Sequence, residues 1–153
     1  MKIRTILLHG RKKMIKDLYN TNILRLSSDI PRLGKLDKPD SSSTVVSKLC
    51  GSKITVYLNM EDNTVNDFTH EIKACSLGKA ASSVMARNII GSGSEELLEI
   101  KKEMYNMLKE DGAPPSGKWD DLKYFEPVKD FKGRHASVLL VFDAVENCIN
   151  ELK

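Results

Sequence analysis

Two side-chain types in this chain can grip a soft metal or attack an electrophile at neutral pH: the thiols of Cys50, Cys75 and Cys148, and the imidazoles of His9, His70 and His135. Their settings differ. Cys50 lies in Leu49-Cys50-Gly51-Ser52, between two strand-like segments, where the following glycine lets the backbone turn and leaves the sulfur accessible. Cys75 lies where a strand pattern gives way to a helical one, in Ala74-Cys75-Ser76-Leu77-Gly78. A thiol at a helix N-terminus gains nucleophilic and metal-binding character from the dipole and the free N–H groups. His135, in Gly133-Arg134-His135-Ala136-Ser137, stands at the start of the last helical pattern within reach of solvent. The pattern alone leaves it open between a third ligand and a surface histidine. His70 shares a strand face with Phe68 and Ile72 and reads as packed. His9 falls in a basic stretch and reads as solvated. Cys148 falls on an apolar helix face between Val145 and Ile149 and reads as structural.

The elements that must position these groups are legible as periodicities. Ile54, Val56 and Leu58 alternate with Thr55, Tyr57 and Asn59, the period of a half-buried strand. Met60-Glu61-Asp62-Asn63 reads as a hairpin turn, followed by a strand with Phe68, His70, Ile72 and Ala74 on one side. Thr44-Val45-Val46 is a third strand, after a loop spanning Pro31 and Gly34–Ser43. Folding the hairpin puts Cys50 and Cys75 about equally far from its turn, at one end of the sheet. They either share a site there or are two unrelated core cysteines. A helix face is expected from Met14, through Ile15, Leu18, Tyr19, Ile23 and Leu26. A second carries Ala80, Ala81, Val84, Met85 and Ile89, with Gly91 available to cap it. A third, opened by a Ser92/Glu95 capping box, carries Leu97, Leu98, Met104, Tyr105 and Leu108. A short helix is expected around Trp119–Phe125. A final helix carries Val138, Val141, Phe142, Val145, Ile149 and Leu152. Strands first and helices afterwards give an α+β class: a small antiparallel sheet of about three strands with helices packed on one face.

Length and composition narrow the function. A chain of 153 residues holds one core, read as a basic extension over 1–13 and a single domain over 14–153. The net charge of +3, with no stripe of Lys and Arg, gives no footprint for nucleic acid. No apolar run approaches the roughly 18 residues of a membrane span. Ile6-Leu7-Leu8 is too short for a signal h-region of about 7–15 residues, so the chain is read as cytoplasmic. Three cysteines without a secretory signal are read as free thiols. CxxC, Walker A and GxGxxG motifs are all missing. No hydrolytic or redox constellation marks an enzyme.

The segments around the two cysteines resemble the iron–sulfur cluster assembly scaffold family that includes IscU, SufU and the NifU N-terminal domain. The likeness runs from about Met14 to the end. Leu49-Cys50-Gly51-Ser52-Lys53-Ile54-Thr55-Val56 matches that family's Cys-Gly-Asp loop and strand, with Ser52 in place of the Asp. Cys75-Ser76-Leu77-Gly78-Lys79-Ala80-Ala81-Ser82-Ser83 matches its second cysteine and helix, and His70 takes a family aromatic position. The family's third cysteine is missing: an ungapped match through Asp143-Ala144 puts Ser137 there, whereas aligning His135 with the family histidine puts Ala136 there. The resemblance implies a scaffold or carrier, not an enzyme, binding a transient iron–sulfur cluster, or zinc, through Cys50, Cys75 and His135, with Ser52 and Ser137 as supporting ligands. It implies a cysteine desulfurase and apo iron–sulfur proteins as partners, and a monomer or weak dimer. The alternatives are a SufE-like persulfide acceptor for a desulfurase, and an interaction module without metal.

Overall fold

The computed structural model describes residues 18–153. The expected 1–13 extension, His9 and the start of the helix face at Met14 and Ile15 lie outside the described residues. The chain continues into helix α1 (Thr21–Ser28), whose first turn is closed by Asn20 Oδ1 accepting from the Ile23 N–H at 3.0 Å. Ile23 and Leu26 are its buried pair.

Three antiparallel strands follow: β1 (Ser41–Val46), β2 (Lys53–Glu61) and β3 (Thr64–Lys73), in the order β1-β2-β3. Asp62 and Asn63 turn the β2–β3 hairpin with φ of 52° and 59°, the primed turn that matches strand twist. Strand β1 starts in the serine run expected as loop. Serine has no strand preference of its own, but Ser41–Ser43 pair with Val56–Leu58, and that pairing decides. The free edge of β3 is covered by Arg32–Gly34: Gly34 N–H donates to the His70 carbonyl at 2.9 Å, and His70 N–H to the Arg32 carbonyl at 3.1 Å.

One sheet face carries Ile54, Val56, Leu58, Phe68 and His70, all fully buried. The other is wet, with a Thr44–Thr55 hydroxyl pair at 2.8 Å and Tyr57 donating to Glu71 at 2.6 Å. His70 is packed as expected. Its Nε2–H donates to the Pro31 carbonyl at 3.0 Å, which leaves Nδ1 to accept from Ser82 Oγ at 2.5 Å. Burial pushes this imidazole down, against the hydrogen bond to Pro31.

Helices α2 (Ser76–Asn88) and α4 (His135–Glu151) pack on the apolar face, and α3 (Ser94–Lys109) packs on α4. Ser92 does not cap α3. Gly93 is the N-cap residue, and Ser92 Oγ lies 3.2 Å from both the Asn88 carbonyl and Glu96 Oε2. Past α3, Asp111 takes a positive φ and the Gly112 N–H returns to the Asn106 carbonyl at 2.8 Å. The short helix expected at Trp119–Phe125 is a longer run of 3-10 turns over Gly117–Asp130, with Trp119, Leu122, Phe125 and Val128 buried. Burial at every third residue is the period of that helix type. Helix α4 is buried nearly all round, not on one stripe. Leu152, expected on its apolar face, lies past its end and is exposed. Among the described residues no helix is long and apolar enough to cross a membrane.

Candidate metal and sulfur site

The last β2–β3 pair is Lys53 with Lys73, and the two cysteines follow immediately beyond it. Cys50 sits in the tight turn entering β2, where the Gly51 N–H donates to the Ser47 carbonyl at 2.7 Å and the Ser47 N–H to the Ser52 carbonyl at 2.8 Å. Gly51 holds φ at 75°, a conformation that suits glycine. Cys75 is the N-cap residue of α2 and makes no side-chain cap bond, so its sulfur is free to face outward. Both thiols are exposed.

Ser137, in the first turn of α4, joins them. Its Oγ lies 3.2 Å from Cys50 Sγ and accepts from Cys75 Sγ at 3.8 Å. Cys50 Sγ also donates to Ser52 Oγ at 3.2 Å. Two thiols far apart in sequence therefore meet across one serine hydroxyl. This is the position that the ungapped match through Asp143-Ala144 assigns to a third thiol. Gly78 permits the approach: a Cβ there would meet Ala74 Cβ at 2.8 Å and the Ser137 carbonyl oxygen at 3.3 Å.

Burial pushes the Cys50 thiol up. Hydrogen bonds from the Ser137, Ser47 and Ser52 hydroxyls and the Ser52 backbone N–H outweigh it and bring the thiol down from 9.0 to about 6. Ser47 Oγ is buried without a well-formed hydrogen bond of its own, so it can rotate onto the sulfur when that ionises. Three serine hydroxyls thus gather on the loop thiol. Iodoacetamide is expected to label Cys50 with a midpoint near pH 6, and Ser137→Ala to move that midpoint up. Peptide mapping by mass spectrometry would measure it, and a midpoint near 9 would show the hydroxyls to be idle. The folded chain gives up this proton before the unfolded chain does. The resulting stabilisation is therefore complete above about pH 9 and lost as pH falls through about 6.

His135 does not join the pair. It is only 4% exposed, and its Nε2–H is shared by the Val128 carbonyl at 2.9 Å and the Lys129 carbonyl at 3.2 Å. The reason is helical phase. Ser137 follows two residues later, roughly 200° round the axis, so a helix that presents Ser137 to the thiols turns His135 away. His135 and Ala136 line a neighbouring cleft with Val45, Leu139 and Lys132. Among the described residues no three His, Cys, Asp or Glu side chains gather where one ion could bind.

Cys148 is fully buried against β2, its Sγ 3.8 Å from the Val56 carbonyl, and burial pushes its thiol up to about 11. Cys148→Ala is expected to cost on the order of 1 kcal/mol in urea unfolding and to leave metal binding unchanged. Loss of metal from that folded variant would reverse the assignment.

Sequence reasoning missed Ser47, Lys73 and Arg134. Lys73 and Arg134 line the cleft of about 330 Å³ that holds Cys50, Ser52 and Cys75. Their signal was position: a cation two residues before one thiol, and another three residues before the bridging serine.

A family model described as the NifU-like N-terminal domain matches residues 18–122, a span that holds both thiols and stops before Ser137. The crystal structure of a nitrogen-fixing NifU-like protein (N-terminal) from Brucella abortus is 56% identical, with a TM-score of 0.89, and covers 92% of this chain and 97% of that one. The iron–sulfur cluster assembly scaffold protein IscU of Thermotoga maritima is 25% identical over 139 residues, 91% of this chain and 97% of its own. The zinc-dependent sulfurtransferase SufU of Bacillus subtilis is 26% identical over 97 residues, 63% and 66% of the two chains.

Proposed function

Because the chain belongs to the NifU-like N-terminal domain family, we propose that it works as an iron–sulfur cluster assembly scaffold or carrier, whose cargo rests on Cys50 and Cys75. The named relatives support the scaffold role. The observation that carries the residue assignment is the meeting of both exposed thiols on Ser137 Oγ, at 3.2 and 3.8 Å.

The donor set fits a cargo that must leave. Thiolates are soft ligands suited to iron–sulfur clusters, and neutral hydroxyls are poor ones. Cys50 and Cys75 supply the soft pair, and Ser52 and Ser137 supply hydroxyls. The low-lying Cys50 thiol is ionised at neutral pH, so iron meets a thiolate without first displacing a proton there. Zinc takes the same soft donors, so the two thiols would serve it as well.

A cysteine desulfurase would supply sulfur, and apo iron–sulfur proteins would receive the cargo. The direct test incubates the chain anaerobically with a desulfurase, cysteine, ferrous iron and a thiol reductant that takes the persulfide sulfur to sulfide, then adds an apo-ferredoxin. Cluster absorption should grow on the chain and then pass to the ferredoxin. Growth of the ferredoxin signal at the same rate without the chain would oppose the reading.

The Cys50 thiol also favours a second reading, as a persulfide acceptor. The Cys50 thiolate would attack the outer sulfur of a desulfurase persulfide, forming a new S–S bond. The old S–S bond breaks, and its electron pair leaves on the desulfurase cysteine as a thiolate. Sulfur labelling of Cys50 in the absence of iron, with no cluster once iron is added, would select this reading over the first.

A further inference from the structure

The cleft that holds the two thiols is cationic in a way that the thiols alone do not explain. Lys73 and Arg134 line it beside Cys50 and Cys75, and among the described residues no acidic side chain does. Lys53 stands directly opposite Lys73 at the end of the β2–β3 ladder, and both are exposed. Like charges directly opposite on a sheet are unfavourable. Among the described residues none of these three cations has an acidic partner within ion-pair distance. Next to them, the ligand set is short by a thiolate, because Ser137 lies between the two sulfurs.

The two shortfalls have one remedy. We infer that the cleft takes a small thiol bearing a carboxylate, whose sulfur completes the cargo's ligand set while its carboxylate rests on Lys73 and Arg134. The inference rests on the scaffold reading above. Its chemistry is ligand exchange without redox. An iron–oxygen bond to hydroxide breaks, an iron–sulfur bond to the incoming thiol forms, and the thiol proton leaves on the hydroxide as water. The cleft's volume, about 330 Å³, admits a molecule of a few heavy atoms together with the metal. A cationic lining selects among thiols by charge, because opposite charges attract even in a partly solvated cleft.

Two small thiols, one charged and one neutral, separate charge from sulfur: 3-mercaptopropionate and 2-mercaptoethanol, with propionate as the carboxylate that lacks sulfur. The chain is reconstituted anaerobically with ferrous iron and sulfide over a range of each probe. After desalting, iron, sulfide and co-retained thiol are measured. The unsubstituted chain should reach half-maximal retention at a mercaptopropionate concentration at least about fivefold below that of mercaptoethanol, with the thiol co-retained. Propionate should do nothing. Lys73→Glu with Arg134→Glu should erase or reverse the preference, and since the same two probes meet the chain and the variant, their intrinsic difference in acidity cancels in the change of preference. Lys73→Gln with Arg134→Gln serves if the charge reversal disturbs the fold. Ser137→Cys should need less added thiol. Equal half-maximal concentrations, or a preference that survives either double variant, overturns the inference while leaving the scaffold reading intact. So does retention in Ser137→Cys alone, with neither thiol effective on the unsubstituted chain. Retention in none of the proteins with any probe overturns the scaffold reading itself.

Discussion

Ser137→Cys is expected to hold reconstituted iron and acid-labile sulfide through desalting on the order of tenfold better than the unsubstituted chain. The substitution places a third sulfur where a hydroxyl already touches both thiols. It replaces a neutral, hard donor with a soft anion, the ligand type that iron–sulfur clusters take. A tenfold gain corresponds to about 1.4 kcal/mol, modest for a change of ligand class. Ala136→Cys is the control. Ala136 is one residue away, about 100° round the helix, and lines the neighbouring cleft with His135. A thiol there points away from the pair and should gain little. Equal retention by the two variants would mean that α4 does not present Ser137 to the cargo.

Gly78→Val is expected to separate the two thiols. Its Cβ would fall 2.8 Å from Ala74 Cβ, beside Cys75, and 3.3 Å from the Ser137 carbonyl oxygen. The neighbours are a side chain on one side and backbone on the other, so the strain must be relieved by moving α2 off α4 or by shifting the Ala74–Cys75 corner. Overpacking of this kind costs roughly 1–3 kcal/mol. In a chain of this size each kcal/mol lowers Tm by about 2–4 °C, so the whole loss is on the order of 2–12 °C. Cluster retention should fall by more than stability does at a temperature where the variant is folded, because Cys75 leaves Ser137 while Cys50 stays. A variant with a lowered Tm and full retention would show that the close approach serves packing alone.

Much of this arrangement is legible in the sequence. The alternation of Ile54, Val56 and Leu58 fixed which face of β2 is buried, and the hairpin at Asp62-Asn63 then carried Cys50 and Cys75 to one sheet end. Their convergence follows from register, which a period of two specifies well. The position of Ser137 followed from an ungapped match. His135 was misplaced because its side chain depends on the phase of the first turn of α4 and on carbonyls from the 3-10 run before it. That run is longer than the short helix expected: Trp119, Leu122, Phe125 and Val128 repeat every three residues, a period that matches neither an α-helix nor a strand. Strand β1 shows the opposite limit, since Ser41–Ser43 carry no strand signal and are recruited by their partners on β2.

The central claim is that Cys50 and Cys75 together hold the cargo, and anaerobic reconstitution with ferrous iron and sulfide tests it most directly. The unsubstituted chain, Cys50→Ala, Cys75→Ala and Cys148→Ala would be desalted and their iron, acid-labile sulfide and visible absorption compared. The account predicts cluster absorption in the unsubstituted chain and in Cys148→Ala, and its loss in each of the other two. Retention in Cys50→Ala or Cys75→Ala at the level of the unsubstituted chain would contradict it.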